Sequence, residues 1–494
     1  MSRLIIGIVA SLLLFLSGCS TPPDDIIRMG LASAPTKLDP RFATDATSAR
    51  INRLLYARLV DFDEQLRPTA VLADWELLDD RHYRFRLKRD RAPFHDGTTL
   101  TARDVAATYR FILDPDNGSP QRSPLQIIDR IEVLDGETLD FYLRRPDPLF
   151  PGYLVIGIMP EQGILDAHPF YNRPVGSGPF RFHDWPEPGR VRLQRIADGQ
   201  IIEFQRIADP TVRVLKLLRG EVDILQNDLS AEMLEYLKRQ TDISVAYGTG
   251  SNFAYLGFNL QDPVTGDLRV RKAIAHAIDR RAIIKHVLGD AAVMATALLP
   301  ADHWAGNPSL RQLEYDPKQS KQLLKSAGYS VDQPLHIKFK TSTDPVRIRI
   351  ATIIQHQLRQ VGISMSLQSY DWGTFYGDIK GGRFQMYSLA WVGIKTPDIF
   401  RYAFHSASLP PEGANRGRLA DADIDHLIET AGQGRTLDAQ AAAYTAVQAR
   451  LLEILPYVPL WYEDHVYAMT NAVLGYKLAR DGNFDALARV YRKP

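Results

Sequence analysis

The sequence predicts an α/β protein of more than one domain, and three observations carry that prediction. At 494 residues the chain is too long for a single hydrophobic core, so two or three packed domains are expected. From about residue 267 onward, helix-period and strand-period patterns alternate, as in an α/β lobe. Before that point the chain reads as strands and hairpins around one well-marked helix. With 45% hydrophobic and 24% charged residues, the composition is that of a soluble globular protein.

At the amino terminus, Arg3 precedes an apolar run from Leu4 to Leu16. The run is short for a bilayer and reads as the apolar part of a secretory signal over residues 1–18. Leu16-Ser17-Gly18-Cys19 resembles the bacterial lipobox. That resemblance implies cleavage before Cys19, a diacylglycerol on its thiol and an acylated new amino terminus. An ordinary signal with a chance cysteine is the alternative. Several acyl chains, at about 0.8 kcal/mol per buried methylene, would hold the chain at a membrane. Cys19 is the only cysteine, so no disulfide forms within the mature chain. Residues 19–28 read as a lipidated polar tether, and no later apolar stretch reaches transmembrane length.

Polar and apolar residues alternate from His82 to Lys88, with Tyr83, Phe85 and Leu87 on one side, which predicts a half-buried strand. Phe94-His95-Asp96-Gly97 predicts a turn. Thr101, three residues before Asp104, opens a helix striped by Val105, Tyr109 and Ile112. Ile131–Leu134 and Thr138–Leu143 flank Asp135-Gly136-Glu137 as a hairpin, and 181–185 and 190–195 flank Pro186-Glu187-Pro188-Gly189 as another.

In the second half, Val270, Ile274, Ile278 and Ile284 recur at helical spacing after Asp267, and Gly289 closes that segment. Asp316-Pro317 starts a helix that Gly328 stops. Ile350, Ile353, Ile354, Leu358 and Val361 form another apolar face, ended by Gly362 and followed by a strand over Ile363–Leu367. Tyr387–Val392 predicts a buried strand, Thr436–Leu455 a long helix and Tyr457–Tyr462 a strand.

The patterns also exclude functions. Lys plus Arg number 59 against 58 for Asp plus Glu, leaving no bulk field to attract nucleic acid. The zinc-protease, phosphate-loop, nucleophile-elbow and Cys-x-x-Cys signatures do not occur. No two of the twelve histidines stand three or four apart, as one-face metal ligands on a helix would. Gly248-Thr249-Gly250 lacks the third glycine of a dinucleotide fingerprint and reads as a turn. His95-Asp96 reads as part of its turn before Gly97 rather than as an acid/base pair. No cofactor, metal or enzymatic activity is expected.

Several segments, in order, resemble the extracellular solute-binding proteins of family 5, the dipeptide- and oligopeptide-binding proteins of bacterial ABC importers. They include Leu38-Asp39-Pro40, Leu54-Leu55-Tyr56, Leu72-Ala73-Asp74-Trp75-Glu76 and the run from Phe94 to Val105. Pro174-Val175-Gly176-Ser177-Gly178-Pro179-Phe180, Gly220-Glu221-Val222-Asp223, Phe258-Asn259 and Val270-Arg271-Lys272-Ala273-Ile274 follow. Ala327-Gly328-Tyr329, Val361-Gly362-Ile363 and Asp371-Trp372 complete the set, over about residues 29–465.

The resemblance implies a two-lobed fold of the type II periplasmic-binding-protein kind with an additional small α+β domain. Lobe I would be discontinuous, from residues 29–52, 173–260 and 461–494. Residues 53–172 would form the extra domain and 261–460 lobe II, with crossings at Phe258-Asn259 and near Trp461. It further implies a monomer, lipid-anchored and facing the periplasm or the exterior, that closes on a peptide or peptide-like solute and delivers it to an ABC permease with separate ATPase subunits. A ligand sensor or chaperone-like lipoprotein of the same fold, and a secreted hydrolase, are the competing readings.

In family members that bind free peptides, a loop after a Trp carries an aspartate that pairs with the ligand's amino terminus. Trp391-Val392-Gly393-Ile394-Lys395 matches that loop and puts Ile394 at the aspartate position. A buried ammonium without its carboxylate costs several kcal/mol, roughly, so a free amino terminus is not expected to be bound there in that way. Two ligand classes remain open: a blocked, cyclic or modified peptide, or a solute whose anionic group meets Lys395. Asp398 is a candidate substitute for the missing carboxylate. Trp372, Tyr387, Trp391, Trp461 and Tyr462 are candidates for stacking on the ligand. Ser33, Ala34 and Asn252 are candidate polar contacts, and Arg416 a second anion contact or a loop charge.

Overall fold

One continuous sheet of eleven strands runs through both lobes of the computed structural model, which describes residues 25–330, 333–411 and 413–493. The secretory signal and Cys19 lie outside the described residues. Across the sheet the strands are Ile363–Tyr370, Leu335–Ser342, Met386–Trp391, Ile243–Phe258, Tyr457–Thr470, Ile224–Gln226, Ile27–Leu31, Ile201–Arg206, Arg190–Arg195 and Phe180–Glu187. Ala292–Met294 pairs with Tyr457–Thr470 beside this path. The α/β class and the two-lobed architecture expected from the sequence are what is found.

The two central strands belong to both lobes. Residues 243–248 pair with 465–470 on the lobe I side, whereas 252–258 pair with Met386–Trp391 and with 457–463 on the lobe II side. Between these stretches the register slips, because the chain runs from Gly248 to Asn252 while its partner runs only from His465 to Glu463. Thr249, Gly250 and Ser251 therefore bulge. A Cβ on Gly250 would lie 2.1 Å from the Glu463 carbonyl oxygen, so this residue must be glycine for the strands to approach.

This corrects two sequence expectations. Gly248-Thr249-Gly250 is not a turn but the middle of a strand, and the strand expected to end at Tyr462 continues to Thr470. Glycines and ionisable residues at a bulge carry the composition of a loop. The register shift lies between Gly248 and Asn252, a few residues ahead of Phe258-Asn259. The helix expected to run from Asp267 toward Gly289 is two helices, Leu268–Ala277 and Arg280–Val287, because the Asp279 side chain accepts the Ala282 amide and caps a new start.

Alternation along the central strands builds two cores in lobe II. Ala254, Leu256 and Phe258 face a cluster with Ile274, Phe339 and Trp461, while Phe253 and Tyr255 face one with Phe400, Tyr444 and Tyr457. Lobe I packs Ile27, Met29, Phe204 and Val191 against Phe484 and Leu487 of the carboxyl-terminal segment.

The extra domain is a four-stranded antiparallel sheet, ordered Ala73–Asp79, His82–Leu87, Thr138–Leu143, Ile128–Val133, with helix Ala102–Leu113 on it. Tyr83, Phe85, Val105, Tyr109 and Ile112 are buried as the alternation and stripe predict. Asp104 accepts the Thr101 amide at 2.7 Å, completing the expected cap. Asp96 accepts the Thr98 amide at 2.9 Å, and His95 Nε2 lies 3.1 Å from the Gly178 carbonyl oxygen. That pair builds a turn and ties the extra domain to lobe I.

Candidate functional site

Both lobes present the carboxyl ends of parallel strands to one cleft. In lobe I, Ile27–Leu31 is parallel to Ile201–Arg206 and Ile224–Gln226. In lobe II, Leu335–Ser342 is parallel to Ile363–Tyr370 and Met386–Trp391. Residues just past these ends, Ser33, Asn227 and Asp228 from one lobe and Asp344 and Arg347 from the other, line a cavity of about 560 Å³. Asn252, Glu463, Asp464 and His465 line it from the bulge. Crevices at the carboxyl ends of parallel strands, between moving bodies, are where α/β proteins take ligands.

Most charges in this cleft are already paired. Arg347 meets Glu463 at 2.7 Å, and Arg349 meets Glu232 of the lobe I helix Ala231–Lys238 at 2.7 Å. Asp344 caps helix Pro345–Gln360 by accepting the Arg347 amide at 2.9 Å. His465 Nδ1 lies 3.0 Å from Asn227 Nδ2, and burial lowers the pKa of this imidazole. Asp464 differs: burial pushes its carboxyl up to about 6, against the opposing pull of the Gly250 amide. Its Oδ1 is buried and meets no donor.

The structure brings three of the expected site residues into one strip on lobe II. Trp372, 59% exposed, stacks on Tyr376 with centroids 5.4 Å apart and planes 7° apart. The Arg416 guanidinium carbon lies 5.4 Å from the Tyr376 centroid and 4.6 Å from that of Trp391, which in turn meets Tyr402 edge-on at 6.1 Å. Arg416 also donates to the hydroxyls of Tyr255 at 3.0 Å and Tyr376 at 3.2 Å. It sits on a loop but is buried, and it clamps the aromatic strip from behind.

The loop after Trp391 is fixed residue by residue. Val392 is exposed, Gly393 takes a positive φ of 71°, and Ile394 turns into the lobe II core. Lys395 Nζ reaches Asp481 of the carboxyl-terminal segment at 2.7 Å and lies over the Phe62 ring, so its charge is already met by the protein. His303 Nε2 lies 3.0 Å from the Lys395 carbonyl oxygen and its Nδ1 accepts the Ala305 amide at 2.9 Å, an arrangement of the neutral ring. Burial lowers the pKa of His303 to about 4.

Other expected residues separate. Ser33 and Asn252 line the cleft, with Ala34 following Ser33 at half-exposure. Asp398 lines a different cavity, between lobe II and the extra domain, with Asp147, Tyr153 and Arg145. Tyr387 and Trp461 are core side chains, and Tyr462 is buried with its hydroxyl donating to the Ala297 carbonyl at 2.6 Å. Strand alternation sends these rings into the packed faces of the sheet, so they back the site rather than face a ligand.

Glu463, Asp464 and Arg347 were missed by sequence reasoning. Three successive ionisable residues directly after the apolar run 457–462 were the available signal. Among the described residues, no group of three or more His, Cys, Asp or Glu is placed to hold a metal ion, and no helix is long and apolar enough to cross a membrane.

Comparison with known proteins agrees with this geometry. The family profile described as "Bacterial extracellular solute-binding proteins, family 5 Middle" matches residues 65–408. The chain is 28% identical over 490 residues to di/tripeptide-binding protein 2 of Pseudomonas aeruginosa, covering 90% of this chain and 91% of that protein. It is 28% identical over 503 residues to the peptide transport periplasmic protein SapA of Salmonella typhimurium, covering 91% and 88%. Among solved structures, HbpA2 from Haemophilus parasuis superposes with a TM-score of 0.84 at 23% identity, covering 95% of this chain and 100% of that one.

Proposed function

The chain belongs to the bacterial extracellular solute-binding proteins of family 5, and from that premise we propose that it captures a peptide or peptide-like solute between its lobes and delivers it to an ABC permease driven by separate ATPase subunits. The observation that carries this reading is the cleft: two lobes joined through paired strands that bulge where they cross, with polar strand ends facing each other around a ligand-sized space. Hinge closure on a solute needs no covalent chemistry. Ser33 and Asn252 supply polar contacts, and the strip formed by Trp372, Tyr376 and Trp391 is a further apolar surface on lobe II, apart from the residues that line the cavity.

The anchor is part of the same proposal. Leu16-Ser17-Gly18-Cys19 supports a lipid on Cys19, with a monomeric receptor anchored to a membrane of the cell envelope and facing the periplasm or the exterior. Incorporation of labelled palmitate that disappears in the Cys19→Ser variant is the expected result.

The test of the main reading is to purify the protein, unfold it gently and identify what it releases by mass spectrometry. A peptide or peptide derivative is expected, and deletion of the protein should abolish uptake of that solute. Intact uptake after deletion would favour a sensor without a permease. Turnover of the solute on long incubation would favour a hydrolase.

A further inference from the structure

The buried carboxylates of this protein show what a completed site looks like. Asp39, Asp140, Glu203 and Asp223 each receive a guanidinium, from Arg41 at 2.7 Å, Arg84 at 2.8 Å, Arg192 at 2.8 Å and Arg492 at 3.0 Å. Asp104 and Asp147 are held without arginine, by the amides of Glu161 at 2.7 Å and Leu149 at 3.0 Å and by neighbouring hydroxyls. Asp464, half-buried, has only the Gly250 amide close by, and its Oδ1 is buried with no donor. A desolvated carboxylate oxygen left in that state is costly unless something else completes it.

The surroundings determine what that something is. Asp464 lines the interlobe cleft, so its missing partner can come from the cleft's contents. The protein does not supply one: Arg347 is committed to Glu463, Arg349 to Glu232, and Lys395 to Asp481. Arg50 leans over the Phe484 ring at 5.4 Å and has no ion pair with Asp464.

Resting on the solute-capture reading above, we propose that Asp464 is the counter-ion for a cationic group of the bound solute, an ammonium or guanidinium, and so sets the specificity of the cleft. The position is independent of the loop that carries Ile394, whose side chain is in the core. A solute with a free amine is therefore accommodated although residue 394 offers no carboxylate. The bulge at Gly250 places this charge where the lobes hinge, so that the solute's cation would be gripped at the axis of closure.

The test uses the purified protein and its Asp464→Asn variant with a synthetic pool of arginine-free tri- to pentapeptides, before and after acetylation of every amine. Peptides retained after rapid desalting are counted by mass spectrometry. The parent should retain at least ten times more of the untreated pool than of the acetylated one, and the variant should lose that preference. The variant should also melt no lower than the parent without peptide, since it removes an uncompensated charge; a merely structural aspartate would make it less stable. Retention of both pools equally by the parent, or a preference that survives in the variant, would overturn the assignment while leaving peptide capture standing. If the parent retains neither pool, peptide capture itself fails and the assignment falls with it.

Discussion

Asp140 in the extra domain and Asp464 at the interlobe bulge are both strand residues in antiparallel pairs, yet they are treated oppositely. Asp140 is 1% exposed and accepts both Arg84 Nε and Nη2 at 2.8 Å with His82 Nε2 at 2.9 Å, hydrogen bonds that hold its pKa down. Asp464 has its pKa raised by burial and keeps an oxygen without a donor. The extra domain satisfies its charges from within, as a region whose task is to stay folded. The hinge leaves one charge open, as a region that must respond to what enters it.

The largest effect should come from breaking the satisfied member. Asp140→Ala leaves Arg84 and His82 facing a buried gap, and truncating one partner of a buried pair costs roughly 3–5 kcal/mol. Urea unfolding should show a loss near the lower end, because Arg84 is partly exposed. A loss below about 0.5 kcal/mol would mean that the pair contributes little.

Next is a pH experiment on the open member. A carboxyl raised from 3.8 to about 6 stabilises the fold below pH 3.8 and loses that contribution as pH rises to 6. His303, lowered from 6.5 to about 4, has the opposite sign: its contribution is present above pH 6.5 and lost as pH falls toward 4. The two slopes oppose each other in the parent. In Asp464→Asn only that of His303 remains, so the variant's advantage over the parent should grow by at most about 3 kcal/mol from pH 4 to pH 6. Parallel stability curves for the two proteins would show that Asp464 titrates normally.

The glycines of the two regions extend the comparison. Gly250→Ala forces a methyl against the Glu463 carbonyl and should cost about 2 kcal/mol, whereas Gly136 in the extra-domain hairpin has nothing within 4 Å of an added Cβ. Gly136→Ala should leave the melting temperature nearly unchanged. An effect between those two is expected of Lys395→Met, which removes an interlobe tie to Asp481. Because Asp481 also accepts the Asn483 amide at 3.1 Å, the loss should be about 1 kcal/mol in denaturant unfolding, and an Asp481→Asn background should abolish it.

The same contrast explains what could be read from the sequence. Tyr83, Phe85 and Leu87, the Thr101–Asp104 cap and the hairpin over 131–143 were legible because each follows from neighbours a few residues away. So were the helices opened by Asp316-Pro317 and Thr436. Trp372, Trp391 and Arg416 were legible as individual candidates, but not as one strip, since they lie on a helix, a strand and a loop far apart in the chain. The long strand through Gly248-Thr249-Gly250 was not legible, because its loop-like composition is a requirement of the bulge against Glu463.

By itself the sequence determined the α/β class, the local elements, the absence of familiar enzyme and metal signatures, and the resemblance that the family comparison bears out. These depend on periodicity, capping and ordered motifs, all properties of contiguous chain. Only the tertiary structure decided that Lys395 is spoken for by Asp481, that Tyr387 and Trp461 are core, and that Asp464 stands without a partner. Whether a charge is satisfied depends on groups tens to hundreds of residues away, and that is settled only when the strands that carry them are brought side by side.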